Sequence, residues 1–239
     1  MSILFDSVDV EATVADPTGS RATMTAAGPD DLDPGGTTAG DTEAPARLVR
    51  FRAEVHRCFT RRGDTLFDLA DAMLCASGPV RSPAELSVEP ECRRGHGAAY
   101  AALARGRIDT AALRRLQAAH IDPARVGEPL MFSLDTTPLA RPDAAHTDGR
   151  TMVHLRRKGG DAFLPGFDYS MMVGVGWGAS SWVSPLDARR LPPGANLTAL
   201  TVAQVRGVLA DLAATGTLAP ADPAPLLLFD AGYDPLGLA

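Results

Sequence analysis

Residues 225–230 have the sequence Pro-Leu-Leu-Leu-Phe-Asp, an apolar run that ends in an acid. A short run without polar interruption is typical of a strand buried on both faces and parallel to a neighbour. A second apolar run, residues 130–134, is followed by Asp135. Together the two runs predict adjacent parallel strands, with Asp135 and Asp230 at the same edge of one sheet.

Between these two runs the sequence predicts strands and one helix. The predicted elements are a strand at 151–155, a hairpin of 169–175 with 180–183, and a helix opened by the capping box Thr201–Gln204 and ended by Gly216. The order strand, strand, strand, helix, strand favours an antiparallel meander followed by a crossover to a parallel fourth strand. The fold class is therefore α/β with a mixed sheet.

Residues 46–126 predict an all-helical, arginine-rich region. Apolar residues recur at three- and four-residue steps from Leu48 to Phe59, so a helix is expected over residues 47–62, ending at Gly63. Ser82-Pro83-Ala84-Glu85 predicts the start of a short helix. This region carries fourteen arginines against nine acids. The expected domains are thus 1–45, 46–126 and 127–239.

The net charge of −6 is unevenly distributed over the 239 residues. Residues 1–44 hold nine acids and only Arg21 as a base. Residues 16–45 are rich in Gly, Pro, Thr, Ala and Asp and show no apolar period, so this head is expected to be disordered. The acidic total therefore does not exclude DNA as a partner of the basic middle region. Three scattered cysteines and the lack of an apolar run of about 18 residues favour a cytoplasmic protein without a membrane span.

Two carboxylates on adjacent strands repel each other unless a cation neutralises them, and hard oxygen ligands select Mg²⁺ or Mn²⁺. Asp135 and Asp230 are therefore candidate metal ligands for phosphoryl transfer. The alternative is that both acids are ordinary turn or cap residues. A phosphohydrolase using Asp135 is a further alternative, but Thr137 stands where such enzymes of the dehalogenase type need a second acid.

Several motifs resemble bacterial insertion-sequence transposases of the DDE class. The motifs are Phe51–Cys58, Ala72–Cys75, Gly78–Ser82, Arg93–Ala98, Leu134–Pro138, Arg141–Ala144, Pro165–Ser170 and Phe229–Asp234. The resemblance implies a ribonuclease H-like core, partial here, over residues 127–239. It also implies a two-metal site for Mg²⁺ or Mn²⁺, in which Asp135 is the first catalytic acid and Asp230 the second.

The third acid of such transposases is a glutamate well downstream of the second acid. This sequence continues for nine residues after Asp230 and its last glutamate is Glu128. A truncated copy that lacks strand transfer by itself is therefore expected. The alternative is a non-catalytic DNA-binding fragment that competes at the element ends.

The resemblance implies DNA as the partner, through terminal inverted repeats and target DNA, with a possible homodimer in the nucleoid. The candidate DNA-binding residues are Arg52, Arg57, Arg61, Arg156, Arg157 and Lys158. For residues 156–158, phosphate contact and a merely solvated hairpin tip are both open. His154 is expected to be a hydrogen-bonded core residue of its strand.

Overall fold

The computed structural model describes residues 39–121, 127–144, 146–156, 159–178, 182–230 and 233, with side chains from residue 43 onward. Two compact units divide the chain between Asp109 and Thr110. The sequence placed a boundary at residues 126/127 instead. The helix at residues 110–120 belongs with the sheet because Ala118 is buried in the core of that unit and Arg114 pairs with Asp211.

The first unit is helical, with one small ribbon. Its elements are α1 (Ala39–Cys58), β1 (Phe59–Arg61), α2 (Gly63–Cys75), α3 (Pro83–Leu86), α4 (His96–Arg105) and β2 (Arg107–Ile108). Helices α2, α3 and α4 pack around a small core of Leu69, Ala72, Leu86 and Ala99. The predicted start of α3 is confirmed, since the Ser82 hydroxyl accepts a hydrogen bond from the Glu85 amide at 3.3 Å.

The first helix differs from its prediction at both ends. It begins at Ala39, so residues 39–45 of the expected disordered head are helical, in line with the helix preference of Glu43 and Ala44. It ends at Cys58, and residues 59–61 form β1 against β2, with Phe59 opposite Ile108. Gly63 starts α2 instead of ending α1 because Arg62 turns the chain in a left-handed conformation, φ 55°.

The second unit is a mixed five-stranded sheet with two helices. Its elements are α5 (Thr110–His120), β3 (Met131–Ala140), β4 (Thr151–Leu155), β5 (Ala162–Val175), β6 (Val183–Leu191), α6 (Leu197–Ala214) and β7 (Leu226–Phe229). β3 lies between β5, which is antiparallel to it, and β7, which is parallel. The expected burial of β7 on both faces is wrong, because β7 is an edge strand and Leu226 and Leu228 on one of its faces are exposed. The expected α/β class with a mixed sheet is confirmed.

The predicted meander is wrong in one respect, because β4 does not lie beside β3. The 14-residue β5 is long enough to pair with β3 along one edge and with β4 and β6 in succession along the other. Gly166 shows this arrangement, since it pairs with Ala140 of β3 and with Thr151 of β4. The hairpin of β5 and β6 is confirmed, although β6 runs on to Leu191.

Helix α6 covers the core of the sheet. Val208 and Leu212 are fully buried in one cluster with Phe132 and Leu134 of β3 and Met172 of β5. The helix is also long and apolar enough to cross a membrane by length and composition, a property that core helices share. Its cap is Asn196, whose side chain accepts from the Ala199 amide at 3.0 Å, and not the predicted Thr201.

Thr201 and Gln204 lie inside α6 and are fully buried. The Ser170 hydroxyl of β5 donates to Oε1 of Gln204 at 2.5 Å, and Nε2 of Gln204 donates to the Ser170 carbonyl at 3.2 Å. The predicted capping-box residues therefore tie the helix to the sheet. The predicted end of the helix is confirmed, because Gly216 follows it with φ +75°.

Candidate active site

The parallel pairing of β3 with β7 brings the two aspartates together. The last register pair is Leu134 with Phe229, so Asp135 and Asp230 are the next residues on neighbouring strands. Neighbouring strands lie about 4.8 Å apart. The predicted adjacency is therefore present, although β3 continues to Ala140 and Asp135 is not at a strand end.

Both aspartates are exposed, whereas Leu134 before Asp135 is buried in the core. One oxygen of Asp135, Oδ1, accepts a hydrogen bond from the Thr136 amide at 2.6 Å. This bond orients the carboxylate without occupying its second oxygen. The two carboxylates are thus close in register and accessible to solvent.

A cleft of about 600 Å³ opens around the aspartates. Its walls come from β3, β4, β5, β6 and the start of α6. The lining residues are Asp135, Thr136, Pro138, Met152, His154, Arg156, Asp168, Leu191, Leu197 and Asp230. Of the candidate DNA-binding residues, Arg156 shares this cleft, whereas Arg157 and Lys158 lie outside the described residues.

Asp168 of β5 is an acid of this cleft that the sequence argument did not select. Burial raises the pKa of its carboxyl above the ordinary value of 3.8. Acids that lie in a cleft and whose pKa is raised by desolvation are typical of functional sites. The sequence signal that could have identified Asp168 is a charged residue within an otherwise apolar strand.

Tyr233 lies next to both aspartates. Its ring packs on Phe229 with centroids 5.1 Å apart, and its hydroxyl oxygen is buried. Burial and then the charge of Asp135 raise the pKa of Tyr233, while the nearby Thr201 hydroxyl lowers it.

His154 is not the core residue that the sequence predicted. Its side chain is 40% exposed and its Nε2 lies 2.8 Å from a carboxylate oxygen of Asp161. The ring also stacks on Phe163. The prediction was wrong because side chains alternate along β4, so that Val153 is buried while Met152 and His154 line the cleft.

The arginines of the first unit differ in their surroundings. Arg52 makes two 2.7 Å hydrogen bonds to the carboxylate of Asp71 and lies 5.0 Å from the Phe67 ring centroid. Its hydrogen bond to Asp71 raises its pKa. Arg57 and Arg61 are exposed, the first on α1 and the second on β1 instead of the predicted helix. Arg52 therefore holds α1 to α2, and Arg57 and Arg61 face solvent.

Comparison with known families adds to this geometry. The family model described as DDE superfamily endonuclease matches residues 54–238, which is most of the chain. This chain belongs to the DDE superfamily endonucleases. No curated protein and no solved structure matches it. As a DDE endonuclease it belongs to a superfamily that uses divalent metals and acts on DNA.

The paired aspartates of this DDE endonuclease fit a hard divalent cation, because both offer exposed carboxylate oxygens and their mutual repulsion falls when a cation binds. Within the described residues, no group of three His, Cys, Asp or Glu side chains could hold a metal ion. Asp168 therefore lines the same cleft without completing a three-acid cluster there. The site as described is a two-carboxylate site.

Proposed function

We propose that this chain is an insertion-sequence transposase that cuts and rejoins DNA, with Asp135 and Asp230 as its catalytic acids. The observation that carries the proposal is the β3–β7 register, in which Leu134 pairs with Phe229 and the two acids follow side by side. The endonuclease family supplies the chemistry, phosphodiester cleavage. A bound Mg²⁺ or Mn²⁺ supplies charge neutralisation and activation of the attacking oxygen.

We also propose a ribonuclease H-like core for residues 127–239. The support is the strand order, in which the antiparallel strands β6, β5 and β3 are followed by β7 parallel to β3. Helix α6 makes the crossover that leads to β7. In this arrangement β3 and β7 are neighbours although about ninety residues separate them in the sequence.

The residues of the chain have separate roles in this proposal. Asp135 and Asp230 hold the cation, and the Thr136 amide keeps the Asp135 carboxylate in one orientation. Arg156, in the same cleft, neutralises a DNA phosphate close to the scissile bond.

DNA contacts outside the cleft are proposed for exposed basic residues. Arg57 and Arg61 are positioned to meet phosphates without losing another partner that holds the fold, and Arg157 and Lys158 extend the basic sequence after Arg156. Arg52 must give up two hydrogen bonds to Asp71 to do so, and its contribution is smaller. The proposed DNA partners are terminal inverted repeats and target DNA, bound by a homodimer in the cytoplasm at the nucleoid.

Metal binding tests the role of the aspartates. We expect wild-type protein to bind Mn²⁺ in a calorimetric titration and Asp135→Asn to lose that binding, because one carboxylate cannot hold the ion alone. Asp143→Asn is the matched control, since Asp143 is an exposed acid of the same unit that does not line the cleft. Equal Mn²⁺ binding by wild type and Asp135→Asn would reject the metal site.

The second candidate is a DNA-binding protein without cleavage activity that competes at element ends. The two-carboxylate composition of the described site favours it. Incubation of the pure chain with supercoiled plasmid and Mg²⁺ separates the two functions. Nicking that Asp230→Asn abolishes supports the endonuclease, whereas tight DNA binding with intact plasmid supports the competitor.

A further inference from the structure

The hairpin of β4 and β5 presents a mixed aromatic and basic surface to the cleft. Side chains alternate along a strand, so Met152, His154 and Arg156 point to the same side, and all three line the cleft that holds Asp135 and Asp230. Met152 is 59% exposed. The hairpin therefore supplies a continuous strip of cleft-lining side chains, Met152, His154 and Arg156, beside the proposed catalytic acids.

The centre of this strip is an aromatic stack. His154 pairs across the hairpin with Phe163, and the two rings are stacked with centroids 4.8 Å apart and planes at 14°. Phe163 is 64% exposed, which leaves a large apolar ring in contact with solvent beside the cleft-lining His154. A further flat ring can extend this stack from the cleft side.

The stack is held in place before any ligand arrives. Nε2 of His154 donates to Oδ2 of Asp161 at 2.8 Å, which fixes the plane of the imidazole relative to the strand. The backbone pairing of His154 with Phe163 places the two side chains opposite each other, and their rings are in contact. A ligand that stacks here therefore loses its own freedom without having to order the side chains that receive it.

Arg156 brings a positive charge to the cleft beside the stack. Arg156 lies two residues beyond His154, and the sequence continues with Arg157 and Lys158 before Asp161. Asp161, the acid of this turn, already has His154 as its partner. Proteins that bind single-stranded nucleic acid combine flat rings, on which a base stacks, with adjacent cations that contact a phosphate.

We propose that His154 and Phe163 form a stacking platform for an unpaired DNA base, with Arg156 on the adjoining phosphate. A strand held in this way continues along the cleft towards Asp135 and Asp230. The platform would separate a terminal base from its complement and present the exposed strand to the two acids. This inference rests on the proposed function, since it assigns to the same cleft the form of DNA that it binds.

The test uses the full chain and a single-stranded oligonucleotide of mixed sequence with one 2-aminopurine. We expect binding to quench the 2-aminopurine fluorescence in at least one register, because the probe stacks on the platform. Phe163→Leu, which keeps an apolar side chain without a ring face, should bind about 5- to 10-fold more weakly and lose the quench. Phe163→Tyr, which keeps the ring, is the matched control and should behave as wild type.

The outcomes separate this inference from the proposed function. DNA binding with no quench in any register, or equal affinity and quench for Phe163→Leu and Phe163→Tyr, overturns the platform and leaves DNA binding standing. Wild-type protein that binds neither single-stranded nor duplex DNA overturns both. Quench that is lost in Phe163→Leu and His154→Leu but kept in Phe163→Tyr supports the platform.

Discussion

At the scale of single residues, Gly166 marks a point where three strands approach too closely for a side chain. A Cβ at this position would overlap the Leu139 carbonyl oxygen and lie 2.9 Å from Cγ2 of Val153. We expect Gly166→Ala to lower the free energy of unfolding by about 1–3 kcal/mol, because backbone must move to admit the methyl group. Urea denaturation measures the change.

Gly176→Ala is the control for that substitution, since a Cβ at residue 176 meets no described atom within 4 Å. Its free energy of unfolding should stay close to that of wild type. Equal stability of the two variants would show that the strands at Gly166 are farther apart than described here.

Asp68 and Asp64 provide a second comparison between single residues. The Asp68 side chain is 5% exposed and pairs with Arg94, whereas Asp64 is 68% exposed and lies 3.2 Å from the same arginine. We expect Asp68→Asn to destabilise the first unit by about 1–3 kcal/mol, because a buried charged partner is lost. Asp64→Asn should cost less than about 1 kcal/mol, as exposed ion pairs do.

Thermal or urea unfolding followed through the helical signal distinguishes these two variants. Similar losses for Asp68→Asn and Asp64→Asn would contradict the burial of the Asp68–Arg94 pair. A larger loss for Asp64→Asn would show that the exposed contacts, including its 3.0 Å approach to His56, dominate.

Asp168 predicts a dependence of stability on pH. Burial raises the pKa of its carboxyl in the folded chain, so the folded state holds this proton more tightly than the unfolded state does. Ionisation of Asp168 therefore lowers the free energy of unfolding as the pH rises from about 3.8 to the raised pKa of the folded chain. Above that pH the contribution of Asp168 stays constant. Asp168→Asn should be more stable than wild type at pH 7 without added metal.

The stability difference between Asp168→Asn and wild type should shrink as the pH falls through the raised folded pKa and vanish below about 3.8, where Asp168 is protonated in both states. Urea denaturation at several pH values measures it. A difference that grows towards low pH would give the opposite sign and contradict a raised pKa.

At the scale of elements, α6 is joined to the sheet by apolar packing and by one buried polar contact. Gln204 is fully buried, and both ends of its amide bond to Ser170 of β5. Gln204→Ala should lower the free energy of unfolding by about 2–4 kcal/mol, because it leaves a cavity and two unpaired polar groups. Arg206→Ala, on the exposed side of α6, is the matched control and should be nearly neutral.

Urea denaturation of the Gln204 and Arg206 variants measures this difference. A Gln204→Ala protein as stable as Arg206→Ala would mean that the buried contact adds nothing to the attachment of α6. The Asp230 segment follows α6 and β7 directly, so a weakened attachment should also lower Mn²⁺ affinity at the paired aspartates.

At the scale of the whole molecule, charge is divided along the chain. Residues 1–38 contain seven acids and one arginine, so their removal takes the net charge from −6 to zero. We expect the shortened chain to bind DNA more tightly at low ionic strength, because repulsion between the acidic segment and phosphates is lost. The gain should fall as salt increases.

Fluorescence anisotropy with a duplex probe at about 50 and about 200 mM salt measures this effect, a range over which electrostatic binding changes strongly. An equal affinity before and after removal would show that the acidic segment does not influence DNA binding. A gain that is the same at both salt concentrations would point to a contact other than long-range charge.

Local sequence patterns were sufficient for much of the fold and for the adjacency of Asp135 and Asp230, but not for Asp168. The runs before Asp135 and Asp230 predicted their strands and their parallel pairing, although β7 is an edge strand with Leu226 and Leu228 exposed. Ser82 and Gly216 marked a helix start and a helix end correctly, because capping and left-handed turns depend on neighbouring residues alone.

Contacts between distant residues decided the rest. The length of β5 placed β4 on its far edge, turned His154 into the cleft and brought Phe163 beside it. Burial of Gln204 against Ser170 overrode its local capping pattern, and Asp71 engaged Arg52. A sequence pattern reports which side chains avoid water. The partner of each side chain depends on the strand register and on which edge of a strand is paired. Both are set only when the whole sheet packs.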